Sequence, residues 1–493
     1  VRVFGIASKA VTQTNKRGAL MQKNARVDTV VHGGLVVSCT GATEAAIAIQ
    51  GERIVAVGTP DALPPAERYI DATGKYVLPG AIDCHVHFGQ VDDWNIGPLA
   101  AAYSGLTTIM PFQVFDPAEG KTLAQVINEV KETARAKTVV DYALRFVLTN
   151  RPEALNDLTE AFKLGVISFK MFMTYKKRGN RMCSDSHILR AMEITAANGG
   201  LLQMHAENGD LIDWLENKAI AEGRVRPTDY PSTAPPIAEE EAINRAIVLA
   251  NVTNCPLYIV HLTTQAGLER IKQAQAQGQR VWTETCPQYL LLDEGAMATL
   301  GPLAKIGPPL RSADLVNQNA LWEGAAQGHI STIGSDHSVY PREAKERGWN
   351  NVFVGPDGQS IPFGAPSMET LVTLAYSEGV VKRGLPIWWM ARVLAENPAR
   401  LFGIYPRKGV IAPGSDADLL IWDPRPERTI READLHGRAG FTPYEGWKVY
   451  GRPWMTLLRG NVLLNDGKLE QKPGYGQFLP ASGPVPPVAG LVK

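Results

Sequence analysis

Little in this chain points to an oxidising compartment, a membrane or a polyanion. Cysteine is scarce: Cys39, Cys84, Cys183, Cys255 and Cys286 make an odd number, with no C-x-x-C pair. That excludes a disulfide framework and fits a reducing cytosol, so a cytoplasmic location is expected. No apolar run reaches the roughly 20 residues of a membrane-spanning helix, and no membrane partner is expected. Net charge is absent as well, because 50 basic and 50 acidic residues cancel. General nucleic-acid binding is therefore not expected. Acid is missing altogether from the first 26 residues, where Arg2, Lys9, Lys16, Arg17, Lys23 and Arg26 stand alone. With no apolar core this stretch is not a secretory signal. It reads as a flexible basic arm over 1–26, although a transit peptide shares its composition. Met21, just before the domain pattern begins, is a candidate start.

What is present is apolar length. The 493 residues are 45% hydrophobic, enough for a large core and for several domains. The chain is organised around Asp83-Cys84-His85-Val86-His87, which follows the apolar run from Tyr76 to Ile82. A run this short and rich in β-formers reads as a buried strand. Side chains alternate along a strand, so His85 and His87 project together at its end, where two imidazoles can hold one divalent ion. An HxH pair also arises when one histidine is packed and the other solvated. Residues downstream decide between these readings.

Four more apolar runs carry polar residues inside them or at their ends. Lys170 lies within Ser168–Met173, His205 ends the run through Gln203-Met204, His261 follows Tyr258-Ile259-Val260, and Asp336-His337 follows Ile333-Gly334-Ser335. Successive buried strands with polar exits are what an α/β barrel offers at the mouth that carries its active site. A lysine inside a buried strand is costly unless it is paired or modified. Strands and helices alternate between the ends of the chain, and Glu239–Asn251 places Ile243, Ala246, Ile247 and Ala250 on one helical face.

With these residues in place the sequence resembles the amidohydrolase superfamily, in its cyclic amidohydrolase branch of hydantoinases, dihydropyrimidinases, allantoinases and dihydroorotases. The resemblance runs from about Val27 to about Leu479. It implies two divalent metal ions, most often Zn2+: His85, His87 and Asp336 on the first, His205 and His261 on the second. Lys170, carboxylated on its side chain by CO2, would bridge both, turning a costly buried cation into an anion that two cations neutralise. Tyr175 matches the family's substrate-polarising tyrosine, and Gly307 and Phe363 fall in segments that contact the substrate ring.

The resemblance also implies the fold: a (β/α)8 TIM-like barrel over 76–404, with a small β-sandwich built from both termini, 27–75 and 405–470. The sequence supports this independently. Ala45–Ile49 and Ile54–Val57 flank a hairpin signal, while Gly409–Trp422 and Met455–Leu464 read as turns and strands too few for a core of their own. The tail 471–493 is rich in Pro and Gly. Its Gly474–Leu479 resembles a family segment that often lies on a neighbouring subunit, which implies a homotetramer or homodimer.

The implied activity is hydrolysis of a cyclic amide C–N bond, a hydantoin or dihydropyrimidine ring opening, by a hydroxide bridging two ions. Asp336 would shuttle the proton and Tyr175 would stabilise the oxyanion. The same site would serve an imidase, lactamase, allantoinase or dihydroorotase. A non-catalytic dihydropyrimidinase-like relative would lack metal ligands, whereas all six positions are filled here. Dihydroorotases carry an Arg two residues past HxH, where this chain has Gly89, and hydantoinases usually carry an Asn where it has Phe363. Phe363, Trp94 and Phe88 are therefore expected to flank the pocket and favour neutral or aromatic ring substituents over dihydroorotate. Cys286 reads as packing rather than as a nucleophile. His337 reads as support for the metal centre, and His32, His187, His329 and His436 as surface or structural residues.

Overall fold

The structure is a computed structural model describing residues 26–89, 91–483 and 485. Apart from Arg26, the expected basic arm lies outside the described residues. Eight strand positions follow one another in parallel: Ala81–His87, Leu106–Phe115, Asp141–Tyr142 with Arg145–Leu148, Ser168–Phe172, Leu201–His205, Leu257–Ile259, Val281–Thr285, and Thr332–Ile333. They are apolar on both faces because helices cover the outside and side chains fill the inside. The last position closes the ring in two pieces. Thr332–Ile333 pairs with Val281–Thr285, and His337–Ser338 pairs with Ala81–His87. This is the TIM-like barrel expected from the sequence. Among its outer helices, Pro236–Thr253 buries Ile243, Ala246, Ile247 and Ala250, the face read from the spacing.

The run Tyr76–Ile82 is not one strand. Tyr76–Pro79 pairs with Leu419–Thr429 and Leu35–Val37, outside the barrel, and the barrel begins at Ala81. The break falls at Gly80, where an added Cβ would lie 2.3 Å from Thr107 Oγ1 and 2.8 Å from Asp418 Cβ. Only glycine lets the chain cross there.

The two ends of the chain meet in a seven-stranded sheet. Leu35–Val37, Ala42–Glu44 and Tyr76–Pro79 come from the front, and Leu419–Thr429, Lys448–Leu458, Asn461–Asn465 and Lys468–Leu469 come from the back. A four-stranded sheet contains Val27–His32, Ala66–Asp71 and the expected hairpin, Ala46–Gln50 with Arg53–Gly58. The hairpin turns at Gly51, whose φ of 57° suits a primed turn. Val31, Ile49 and Ile70 of the smaller sheet share an apolar cluster with Val77, Leu419 and Leu457 of the larger. A buried cation ties this layer to the barrel. Lys408 Nζ is 2.6 Å from Asp141 of the barrel and 2.6 Å from Asp418 beside the sheet.

The segment Gly474–Leu479 packs on its own barrel. Tyr142 N donates to Gln477 O at 2.9 Å, Leu479 N donates to Tyr142 O at 2.7 Å, and the Phe478 and Tyr142 rings are 5.8 Å apart.

Candidate metal centre

The strand ends deliver their polar residues to one place. His85 Nε2 is 3.1 Å from His87 Nε2, 3.1 Å from Asp336 Oδ1 and 3.0 Å from Lys170 Nζ. His87 Nε2 is 3.6 Å from the same Asp336 oxygen. One ligand atom from each of His85, His87 and Asp336 can be chosen so that all lie within 4.8 Å of one another. The His205 and His261 rings are 4.3 Å apart, and the His261 ring stacks 5.5 Å from that of His85. All these side chains are buried except the partly exposed His87.

Backbone strain aims three of the site residues. His261 (φ 38°), Asp336 (φ 50°) and Tyr175 (φ 71°) are among only seven non-glycine residues with positive φ in the described chain. A non-glycine residue adopts that conformation at a cost, and such residues cluster where a side chain must be turned into a site. At Asp336 the turn is held from behind. Asp83 Oδ1 accepts from the backbone N–H of His85 and of Ser335, both at 3.1 Å, and Ser335 Oγ donates to His85 O at 3.1 Å.

Two carboxylates orient the histidines. Glu284 contacts His85 Nδ1, accepts from Tyr258 Oη at 2.8 Å and from His261 N at 3.3 Å. Glu207 Oε2 is 2.7 Å from His205 Nε2. Fixing one ring nitrogen on a carboxylate leaves the other for a metal. Burial, the largest influence on each, drives the imidazoliums of His85, His87 and His261 well below their ordinary 6.5, which favours the neutral ring that a metal ligand requires.

The donor set fits a pair of divalent cations. Burial lowers the Lys170 ammonium to about 8, although Asp336 and Glu284 pull it upward. Lys170 makes no ion pair among the described residues, and its closest polar contact is an imidazole nitrogen. A bare ammonium among four imidazoles is electrostatically unfavourable, whereas a carbamate there would supply oxygens to ions held by the histidines.

Above this cluster lies an open cavity of about 930 Å³. One wall joins Tyr175 to Phe363, their rings 5.6 Å apart, with Gly307 between them. A Cβ at Gly307 would lie 2.7 Å from Tyr175 Oη and 3.1 Å from Phe363 Cδ1. The carbonyls around Gly307 are engaged: Lys305 O accepts from Gly364 N at 3.0 Å, Ile306 O from Tyr230 Oη at 2.7 Å and Pro308 O from Tyr289 Oη at 3.0 Å. The Gly307 backbone has no hydrogen-bond partner among the described residues and faces the cavity.

The sequence pattern of the amidohydrolase family matches residues 76–463, which include every one of these residues. The chain belongs to the amidohydrolase family. It is 35% identical to the D-hydantoinase of Ralstonia pickettii, covering 92% of this chain and 98% of that protein. It is 36% identical to the D-hydantoinase of Geobacillus stearothermophilus, covering 91% and 96% respectively. Among solved structures, the dihydropyrimidinase of Brevibacillus agri superposes with a TM-score of 0.85 at 34% identity, covering 92% of this chain and 98% of that one. The L-hydantoinase of Arthrobacter aurescens gives 0.86 at 33% identity, covering 92% and 100%.

Some expected site residues of this amidohydrolase lie elsewhere. Trp94 is buried, its ring 5.0 Å from Phe88 and 5.4 Å from Tyr142, and it does not line the cavity. It packs under the loop because the short segment after Gln90 turns directly into the helix Gly97–Ser104. Phe88, Phe363 and Gly89 do line the cavity. Cys286 is buried, and burial pushes its thiol well above the ordinary range, in keeping with a packing role. His337 Nε2 lies 3.1 Å from Asp92 Oδ2, and its Nδ1 accepts from Ser367 N at 3.3 Å, so it braces the turn beside Asp336. Glu284 and Glu207 were not singled out from sequence. The signal for Glu284 was available: an acid inside the apolar strand Val281–Thr285 is as anomalous as Lys170 in its own. Glu207 follows its strand by two residues and carries no such mark.

Proposed function

We propose that the protein hydrolyses a ring C–N bond of a hydantoin or dihydropyrimidine, using two divalent ions, most often zinc in this family. The observation that carries this reading is the convergence of four neutral imidazoles, Asp336 and an otherwise unpaired Lys170 beneath an open cavity. His85, His87 and Asp336 would hold one ion, His205 and His261 the other, and Lys170 carboxylated by CO2 would bridge them. When bound, the ions lower the pKa of water to near neutrality and polarise a carbonyl.

The residues of the chain do the rest. A cyclic amide enters past Phe88 and Phe363 and lies against the free backbone of Gly307. Asp336 takes a proton from the attacking water and returns it to the leaving ring nitrogen. The carbonyl carbon thereby gains a hydroxyl, the C–N bond breaks, and the product is an N-carbamoyl amino acid or a ureido acid. Tyr175 Oη makes no hydrogen bond among the described residues, and burial raises its phenol above its ordinary 10, so it remains a donor for the developing oxyanion. The two terminal sheets, with the apolar cluster between them, form the small β-sandwich that flanks the barrel. The chemistry lies in the barrel, within residues 76–404.

The test is metal analysis of the purified protein together with ring opening of hydantoin, dihydrouracil, allantoin, phthalimide and dihydroorotate. Two metal equivalents and turnover of a hydantoin or dihydropyrimidine are expected. A protein without metal, or one that opens none of these rings, would overturn the proposal.

A further inference from the structure

The loop leaving the Lys170 strand carries four cations, Lys176, Lys177, Arg178 and Arg181. The first two are exposed and turn outward to the helix Gly209–Ala221. Lys176 Nζ is 2.6 Å from Asp210, and Lys177 Nζ is 3.0 Å from Glu216 and 3.3 Å from Asp213. Arg178 and Arg181 do the opposite. They are half-buried, they line the cavity above the metal centre, and neither makes an ion pair among the described residues. Nearby acids are committed elsewhere: Asp116 to Arg151 at 2.8 Å and Glu207 to His205 at 2.7 Å.

Arg178 is placed with care. Its Cζ is 4.2 Å from the centre of the Phe363 ring and 5.1 Å from that of Tyr175. The Tyr175 ring is in turn 5.0 Å from His205. One aromatic ring therefore separates this guanidinium from the ligand set. The Phe363 ring holds the guanidinium by a cation–π contact that uses none of its N–H groups, which stay available to an anion. Burial, opposed by Tyr340 and assisted by the like charge of Arg178, lowers the Arg181 guanidinium below its ordinary value. Two half-buried cations near each other on a cavity wall, with no counter-ion among the described residues, leave that wall electropositive.

We infer that Arg178 and Arg181 are specificity-determining residues for a cyclic amide whose ring substituent ends in a carboxylate. The inference rests on the ring-opening chemistry proposed above. It revises the expectation of neutral substituents: Phe88 and Phe363 flank the apolar part of the arm, and the guanidiniums receive its tip. Gly89 offers no cation, so carboxylate recognition moves from the position after HxH to the loop after Lys170.

The decisive comparison is between the 5-(2-carboxyethyl) and 5-(2-carbamoylethyl) hydantoins, which differ only in the charge of the tip. Wild-type kcat/KM should favour the carboxylate by about tenfold or more, and added salt should erode that preference. Arg178→Met and Arg181→Met should each lower the ratio, with Arg178→Lys between Met and wild type. A wild-type protein that opens both rings equally well keeps the proposed chemistry and overturns the anion subsite. A preference that survives in the Arg178→Met/Arg181→Met double variant also overturns it. A protein that opens neither of these rings but opens hydantoin or dihydrouracil overturns the subsite and keeps the chemistry, and one that opens none of them overturns both.

Discussion

Lys170 Nζ lies 3.0 Å from His85 Nε2, and Asp336 Oδ1 lies 3.1 Å from that same imidazole nitrogen. The lysine is thus inside the donor cluster rather than beside it. Lys170→Ala should lose both metals and hydrolytic activity while the fold survives, because the side chain points into the cavity rather than into the apolar layer. Metal analysis and circular dichroism check this. A short carboxylic acid such as propionate should restore part of the activity by supplying the bridging oxygens. Two retained metals with full activity would remove Lys170 from the bridge.

Glu284 touches three parts of the site at once: His85 Nδ1, His261 N and, through Tyr258, the strand that leads to His261. Glu284→Gln keeps the shape and removes the charge that fixes the His85 tautomer. Metal affinity should fall about 10- to 100-fold, as for other residues that orient metal-ligating histidines. Competition with a chelator measures it, and an unchanged affinity would reduce Glu284 to a packing residue.

The barrel and the strand ends that bring His85, His87, Lys170, His205, His261 and Asp336 together were legible because both rest on local rules. Strand alternation puts His85 and His87 on one face, and a cation in an apolar strand marks Lys170 as anomalous. Contacts set by tertiary approach were not legible. Nothing in Tyr76–Ile82 says that the chain changes sheets at Gly80, since the cause is Thr107 and Asp418, remote in sequence. Trp94 gave no sign of its partner Tyr142 for the same reason, nor the tail of its own barrel. Arg178 and Arg181 look in sequence like the solvated charges beside them, and only the pairing of Lys176 and Lys177 with the adjacent helix separates the two kinds.

Lys408 is buried against Asp141, Asp416 and Asp418, at 2.6, 3.0 and 2.6 Å. Lys408→Met leaves these carboxylates with a lost counter-charge between barrel and terminal sheets. Stability should fall by about 3–5 kcal/mol, the usual cost of removing one partner from a buried ion pair. Burial raises the Asp141 carboxyl, but Lys408 and Arg459 outweigh it and bring it below its ordinary 3.8. A depressed folded value means stability that is present above pH 3.8 and lost as pH falls through the folded value. Denaturant unfolding at neutral pH and at successive values below pH 3.8 should therefore show Asp141's contribution declining in acid for the wild type and much less change in Lys408→Met.

Tyr175 sits five residues beyond Lys170, in the left-handed region, with its ring 5.0 Å from His205 and its hydroxyl toward Gly307. A residue held in that conformation is aimed by its surroundings, and its hydroxyl is unused in the described structure. An oxyanion donor binds the transition state more strongly than the substrate. Tyr175→Phe should therefore lower kcat by about 10²- to 10³-fold with a smaller change in KM. Gly307→Ala offers an independent route to the same result. Its new methyl would meet Tyr175 Oη at 2.7 Å and push the hydroxyl aside without removing it. Steady-state kinetics on one hydantoin should give both variants a loss weighted toward kcat. A loss confined to KM in Tyr175→Phe would make Tyr175 a binding contact and return the oxyanion to the metals alone.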